Sequence, residues 1–340
     1  MPLKQQFEAL TGLRFVLALW VVLHHIMGSG MVPSVWSAWL PTGGANLIRG
    51  GYLAVGTFFV LSGFVLANGY CNVSWTGPTL RRYGVNRFAR VYPIYLVSLI
   101  VMVPLMLRAG VSLNVPSHLL LYQGWLPGID QWNTPAWSLS CEVFFYLCFP
   151  LAAVCTKRMG WAALLTTAVA TCFLPSWLKS AGMPQAWKPM IYLADFLMGM
   201  LAARAFELLP ATFRNRGPWL YLPGLACGVA LVACGPMINR HLSLNNLLRP
   251  VNAIILIGLA LGGGTVAARL AQSRMVHLGQ ASYALYILHV PLLWGYRFLA
   301  LPLHWIPLSL LYIALAIWIT SKAFTRMEEP ANRYVRQRLL

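Results

Sequence analysis

About ten apolar runs of roughly twenty residues succeed one another along the chain, a pattern that fits a bundle of membrane-spanning helices and little else. They occupy approximately residues 12–31, 52–70, 91–109, 136–155, 160–178, 188–207, 218–237, 247–268, 279–300 and 303–323. Inside a bilayer only helices and closed barrels satisfy their own backbone polar groups, and runs of this length fit helices. Of the 340 residues 59% are hydrophobic and only 9% charged, whereas a soluble domain has about a quarter of its residues charged. The predicted fold class is an all-α, polytopic integral membrane protein with about ten transmembrane helices. The first run has no small-residue cleavage site and is long for a signal-peptide core, so it is read as a retained helix. A shorter apolar stretch, 117–127, cannot cross and is predicted to be re-entrant or interfacial.

The net charge of +18 is distributed as topology signals. Arg81, Arg82, Arg87 and Arg90 fall between runs two and three, and Lys157 and Arg158 between four and five. Arg214 and Arg216, then Arg269 and Arg274, mark two further loops, and Arg326, Arg333, Arg336 and Arg338 the tail. The alternate loops, with Arg49, Lys179 and Arg240, are poorer in cations. This bias places both termini in the cytoplasm and gives an even helix count. Such cations also meet lipid head groups, and without a basic stretch outside the membrane no nucleic-acid partner is expected. The seven cysteines form no CxxC pair, so neither a disulfide framework nor a metal site is indicated.

Ionisable side chains inside such runs are costly and usually face a polar cavity. Arg14 and His25 stand eleven residues apart in run one, on nearly one helix face and roughly 16 Å apart along it. Topology puts His24 and His25 in the outer half, at a depth similar to Glu142 in run four, so a His–carboxylate pair is expected there. A carboxylate would orient the imidazole and raise its basicity, as a general base requires. Arg14 shares the opposite mouth with Arg87 and Arg90, and three guanidinium groups suit a phosphate-bearing ligand. Each has a plainer reading: the arginines as topology signals on lipid phosphate, His25 as an interhelical hydrogen bonder. Tyr286 and His289, an i,i+3 pair in run nine, together with Ser282 and Tyr283, can line the same cavity or simply pack. Asp195 is an intramembrane acid of unknown partner. Trp125, Trp132 and Trp137 can stack on sugars or form an interfacial belt.

Six elements in order resemble membrane acyltransferase family 3, the integral-membrane O-acyltransferases of surface carbohydrates. GLRFVLALWVVLHH is similar to the family's arginine, ten residues, histidine signature and selects Arg14 and His25. GYLAVGTFFVLSGFVLA, with Ser62, resembles its FFVLSGF segment; RFARVYP its RxxRxxP element; and WSLSCEVFFYLCFP, opening at Trp137, its WSLSxE helix. LGQASYALYILHVP and the closing EEP, with Glu328, complete the set. The resemblance implies a single membrane domain over residues 1–340, with no appended soluble domain, in a bacterial inner membrane. It implies transfer of an acyl group, most often acetyl, from acetyl-CoA or another acyl-CoA to a hydroxyl of a surface or exported polysaccharide or its lipid-linked precursor. No metal is implied, and polysaccharide-assembly partners are conceivable. Arg14, Arg87 and Arg90 would hold the donor, and His25, oriented by Glu142, would act as base or acyl acceptor. Ser62, Trp137, Tyr283, Tyr286, His289 and Glu328 fall in a second tier of substrate contacts. The competing classes are a proton-coupled transporter and a transmembrane acyl-group carrier feeding a partner enzyme. Against the transporter, the chain has no inverted repeat and no paired broken half-helices.

Overall fold

A computed structural model describes residues 7–29, 32–33, 40–70, 73–111, 114–128, 132–184, 187–235, 244–298 and 304–340; Cys71 and Arg240 lie outside them. The regular structure is entirely helical among the described residues. In chain order the helices are α1 (Glu8–Gly28), α2 (Thr42–Arg49), α3 (Ala54–Tyr70), α4 (Gly77–Arg108), α5 (Val115–Leu119), α6 (Trp137–Lys157), α7 (Trp161–Ser180) and α8 (Lys188–Leu208). There follow α9 (Pro218–Ala233), α10 (Leu244–Leu261), α11 (Gly264–Leu270), α12 (Ser273–Gln280), α13 (Ser282–Phe298), α14 (Trp305–Ala323) and α15 (Glu329–Leu339). Among the described residues eight helices are long and apolar enough to cross a membrane. In the two remaining predicted runs, α9 and α13 have 16 and 17 residues and are shorter by a turn or so. The protein is a multi-pass integral membrane protein.

One local expectation is corrected. Arg81, Arg82, Arg87 and Arg90 are not in a loop, because α4 begins at Gly77 and carries all four. Pro78 sits in the first turn, where its missing N–H costs nothing, and no further proline intervenes before Pro93. The 117–127 stretch forms a short helix and a single 3-10 turn that fold into the bundle. There the Tyr95 hydroxyl donates to the His118 carbonyl (2.8 Å) and Gln123 Nε2 to the Ala136 carbonyl (3.1 Å).

Contacts divide the bundle into two ends. At one, Phe7 before α1 packs edge-on against Phe64 of α3 and Phe206 of α8. α11 and α12 lie against α1 there, and α15 packs on α4. At the other end, Trp20 Nε1 donates to the Leu47 carbonyl (2.7 Å) and Asn46 Nδ2 to the Ala233 carbonyl (2.8 Å). By the cation bias the first end is the expected cytoplasmic one.

α13 is central: every residue from Ser282 to Pro291 is buried. Among the described residues the most extensive helix pair is α3 with α8, which approach closely at Gly63 and Gly199. A Cβ on Gly63 would run into the Phe196 carbonyl oxygen, and one on Gly199 into that of Val60. Small residues permit such backbone approach, which drives helix association where the hydrophobic effect is absent. Gly199→Val should therefore destabilise the purified protein by about 1–3 kcal/mol or more, read as a fall in its thermal midpoint in detergent. Gly69→Ala, with open space around its Cβ position, is the control and should leave the midpoint in place. On α7, Leu165, Phe173 and Trp177 are exposed, as is Trp318 on α14; these faces meet lipid.

Candidate active site

Arg14 of α1 lines a narrow cavity with Val55, Phe58 and Phe59 of α3, Ser138, Leu139 and Glu142 of α6, and Ser282, Tyr283 and Tyr286 of α13. The cavity has about 30 Å³ of free space, room for one or two waters. Glu142 accepts a hydrogen bond from the Tyr146 hydroxyl one turn along α6 (2.9 Å). Arg14, Arg90 and Arg87 surround that carboxylate electrostatically, and the Arg87 guanidinium lies 5.9 Å from the Tyr146 ring centroid. Glu328, buried on the single π-helical turn Phe324–Glu328, joins this group within electrostatic reach of Arg90 and Arg14. Among the described residues none of the three arginines has a carboxylate within 4.0 Å. Arg14 Nε, Arg87 Nε and Glu328 Oε2 are buried and without a hydrogen-bond partner. Buried polar atoms are normally satisfied, so orphans gathered at one spot mark a place built for something else to bind.

The middle of the bundle is pinned by tyrosines. The Tyr283 hydroxyl donates to the Val91 carbonyl of α4 (2.7 Å). That of Tyr286 lies between the Pro135 carbonyl oxygen (3.1 Å) and Ser138 Oγ (2.9 Å). Tyr286 is thereby level with Ser138, one turn above Glu142, and His289 is almost a further turn along α13. Depth along the bundle from Glu142 to His289 is then roughly 10 Å.

His25 shares its level with His289. Its Nδ1 is 3.0 Å from the Val21 carbonyl oxygen and 3.3 Å from His289 Nε2, with ring centroids 4.9 Å apart. His289 Nδ1 lies 2.7 Å from the Tyr286 carbonyl oxygen, and the His289 carbonyl accepts from the Tyr312 hydroxyl (2.6 Å). Carbonyls only accept, so both neutral rings carry their proton on Nδ1. His289 Nε2 is then a lone pair facing the Nδ1–H of His25, and the free lone pair of His25 is on Nε2. That is the disposition a base or nucleophile needs.

The expected His25–Glu142 hydrogen bond is not formed. Glu142 sits about two turns deeper, beside Tyr146 and the arginines, and His289 takes the place assigned to it. The structure brings Arg14, Arg87, Arg90, Glu142 and Glu328 together at one level, Tyr283 and Tyr286 at the next, and His289 with His25 at the outer one. Ser62 stands one turn beyond Phe58 on α3, outside the cavity lining. Trp137 packs toward α8, against Tyr192 (5.1 Å between centroids) and beneath Lys188 (4.6 Å from ammonium to ring). Trp132 is buried in a stack on His118, and Trp125 packs against Phe144 and Trp187, so these two form no open sugar platform. Tyr146 escaped notice in the sequence, although its i,i+4 spacing from Glu142 signals the contact. Arg249, the partner of Asp195 through paired bonds of 3.1 and 3.0 Å, could have been found as the opposite charge inside a neighbouring run.

Comparison with known proteins bears on this geometry. The model of a family described as "Acyltransferase domain" matches residues 7–321. Acyltransferase MdmB of Streptomyces mycarofaciens is 29% identical, over 99% of this chain and 94% of its own length. Protein 2 in picA locus of Rhizobium radiobacter is 35% identical over 100 residues, which cover 29% of this chain and 44% of that protein. No solved structure matches significantly.

Proposed function

This chain belongs to membrane acyltransferase family 3, and on that premise we propose that it moves an acyl group through the bundle. The donor is an acyl-CoA, foremost acetyl-CoA, bound at the Arg14 end; the acceptor is a hydroxyl of an exported carbohydrate at the His25 end. One observation carries this reading. Arg14, whose Nε is buried and unpartnered, and His25, whose Nε2 keeps a free lone pair, belong to the same helix, α1, roughly 16 Å apart along it.

Arg14, Arg87 and Arg90 would pair with donor phosphates, which guanidinium groups match through two parallel N–H bonds. Glu142 and Glu328 keep this cluster from being purely cationic when no anion is present, and Glu142 holds Tyr146 in place under Arg87. Its role is thus to position the clamp rather than to orient His25. Phe58 and Tyr286 narrow the passage above, so they must swing aside for an acyl chain to pass. His25 Nε2 either takes the proton of the acceptor hydroxyl or briefly takes the acyl group itself. His289 is a positioning residue, accepting the Nδ1–H of His25 and so leaving the lone pair of that ring on Nε2.

Purified protein supplied with acetyl-CoA and an oligosaccharide should release CoA and form an ester on sugar oxygen. Transport without esterification, or no CoA release, would refute the assignment. Arg14→Ala should raise the KM for donor about tenfold or more, the loss of a charge-assisted hydrogen bond, with a smaller effect on kcat. An unchanged donor KM would remove Arg14 from the clamp. His289→Leu should lower kcat at unchanged donor KM, and His289→Gln, whose amide oxygen still accepts, should recover part of the loss. Equal rates for the two variants would reduce His289 to packing.

A further inference from the structure

A second polar cavity opens at the His25 end, between α7, α8 and α10. It encloses about 200 Å³ and is lined chiefly by Lys179, Lys188, Tyr192, Asp195, Asn245 and Arg249. Its floor is rigid and already satisfied. Arg249 holds both Asp195 oxygens and also donates to the Thr171 carbonyl (2.9 Å), and Asn246 donates to Ser176 Oγ (2.8 Å). Its walls are not neutralised: neither Lys179 nor Lys188 has a carboxylate within 4.0 Å among the described residues. With Asp195 and Arg249 cancelling, the cavity carries two uncompensated positive charges. Its position matters equally. Gly56 of α3 borders it, where a Cβ would touch Asp195 Oδ1 and Asn245 Oδ1 at 3.5 and 4.0 Å. One turn earlier Tyr52 packs on His24, the neighbour of His25 (5.6 Å between centroids). Residues 52–56, leading into α3, thus touch His24 at one end and the cavity residues Asp195 and Asn245 at the other.

We propose that this cavity binds an anionic sugar residue of the acceptor, a ring bearing a carboxylate or phosphate; this rests on the carbohydrate reading of the preceding section. The chemistry selects the class. Amide and phenol groups both donate and accept, as sugar hydroxyls require, and Tyr192 adds an aromatic face. Lys179 and Lys188 answer an acid. The floor at Asp195 lies seven residues below Lys188, roughly 10 Å into the bundle, deeper than a lipid phosphate sits at the interface. Polar walls at that depth are costly in a membrane protein unless they serve a ligand or pathway. The volume has room for one sugar ring, and the polar lining does not suit an acyl chain.

The test is equilibrium binding, without any acyl donor, to protein in phosphatidylcholine nanodiscs. The probes are a labelled glucuronate-containing disaccharide and its neutral glucose counterpart. The acidic probe should bind about tenfold tighter or more, the discrimination expected of a charge-assisted contact. Lys179→Glu and Lys188→Gln should each erase that preference, and Asn245→Leu should weaken both probes. Lys179 is exposed, so its replacement leaves a folded protein, checked by an unchanged chromatographic profile. Equal binding of the two probes, or binding of neither, would overturn the proposal. So would retention of phosphatidylglycerol in native mass spectra that depends on the same lysines, which would make the cavity a lipid site. Because no donor is present, this binding is read independently of the CoA-release assay: acid-selective binding here with no CoA release in that assay would sink the acyl-transfer reading and leave this one standing, and the reverse pair of results would do the opposite.

Discussion

His25→Ala is expected to lower the rate of ester formation by about 10²- to 10⁴-fold, the range for loss of a positioned base, while the donor KM stays within a factor of two or so. The two effects separate because the imidazole and the arginine cluster are roughly 16 Å apart along α1. His24 cannot substitute. Its ring meets that of His25 edge-on at 5.2 Å and turns toward Tyr52, so His24→Ala should be far milder. Initial rates of CoA release and of acceptor esterification, measured side by side, check this. Near-normal esterification in His25→Ala would place the chemistry elsewhere in the bundle.

Arg249→Leu is expected to be the most damaging single change to folding. The guanidinium and the Asp195 carboxylate are 1% and 3% exposed, and no other cation lies within 4.0 Å of Asp195 among the described residues. Removing one partner strands a buried charge, at a cost of about 3–5 kcal/mol. It also frees the Thr171 carbonyl of α7 and loosens the junction of three helices. The yield of monodisperse protein in detergent should collapse. Replacing both residues by leucine should restore much of it, since an apolar pair of similar volume is often neutral. A double variant no better than the single one would show that Arg249 acts through its other hydrogen bonds.

The helical architecture was legible in the residues because a span is an extended signal: twenty apolar side chains outweigh any one error. Membership of the site was partly legible too. Arg14, Arg87, Arg90, Glu142, Tyr283, Tyr286, His289 and His25 stand out in the sequence because charges and hydroxyls are rare in hydrocarbon, and Glu328 stands out only through the resemblance at EEP. Who touches whom was not. Depth read from span boundaries carries an error of several residues, and one helical turn is only 5.4 Å. A two-turn offset between Glu142 and His25 sits inside that error, and it takes contacts such as Tyr286–Ser138 and His289–His25 to fix the register. Charge alone suggests an exit from the membrane at Arg87 and Arg90, although no proline interrupts residues 79–92. Asp195 was visible and its partner was not, because pairing 54 residues apart is a property of packing and not of pattern.

Transfer across the bundle is tested most directly by separating the two substrates. Protein is reconstituted into sealed proteoliposomes in one orientation, with acetyl-CoA on the side of Arg14 and an acidic oligosaccharide on the side of His25. The expected result is ester on the oligosaccharide and free CoA in equal amounts, each remaining on its own side, and no ester when the two compartments are exchanged. Ester formed only when both substrates share one compartment would contradict it.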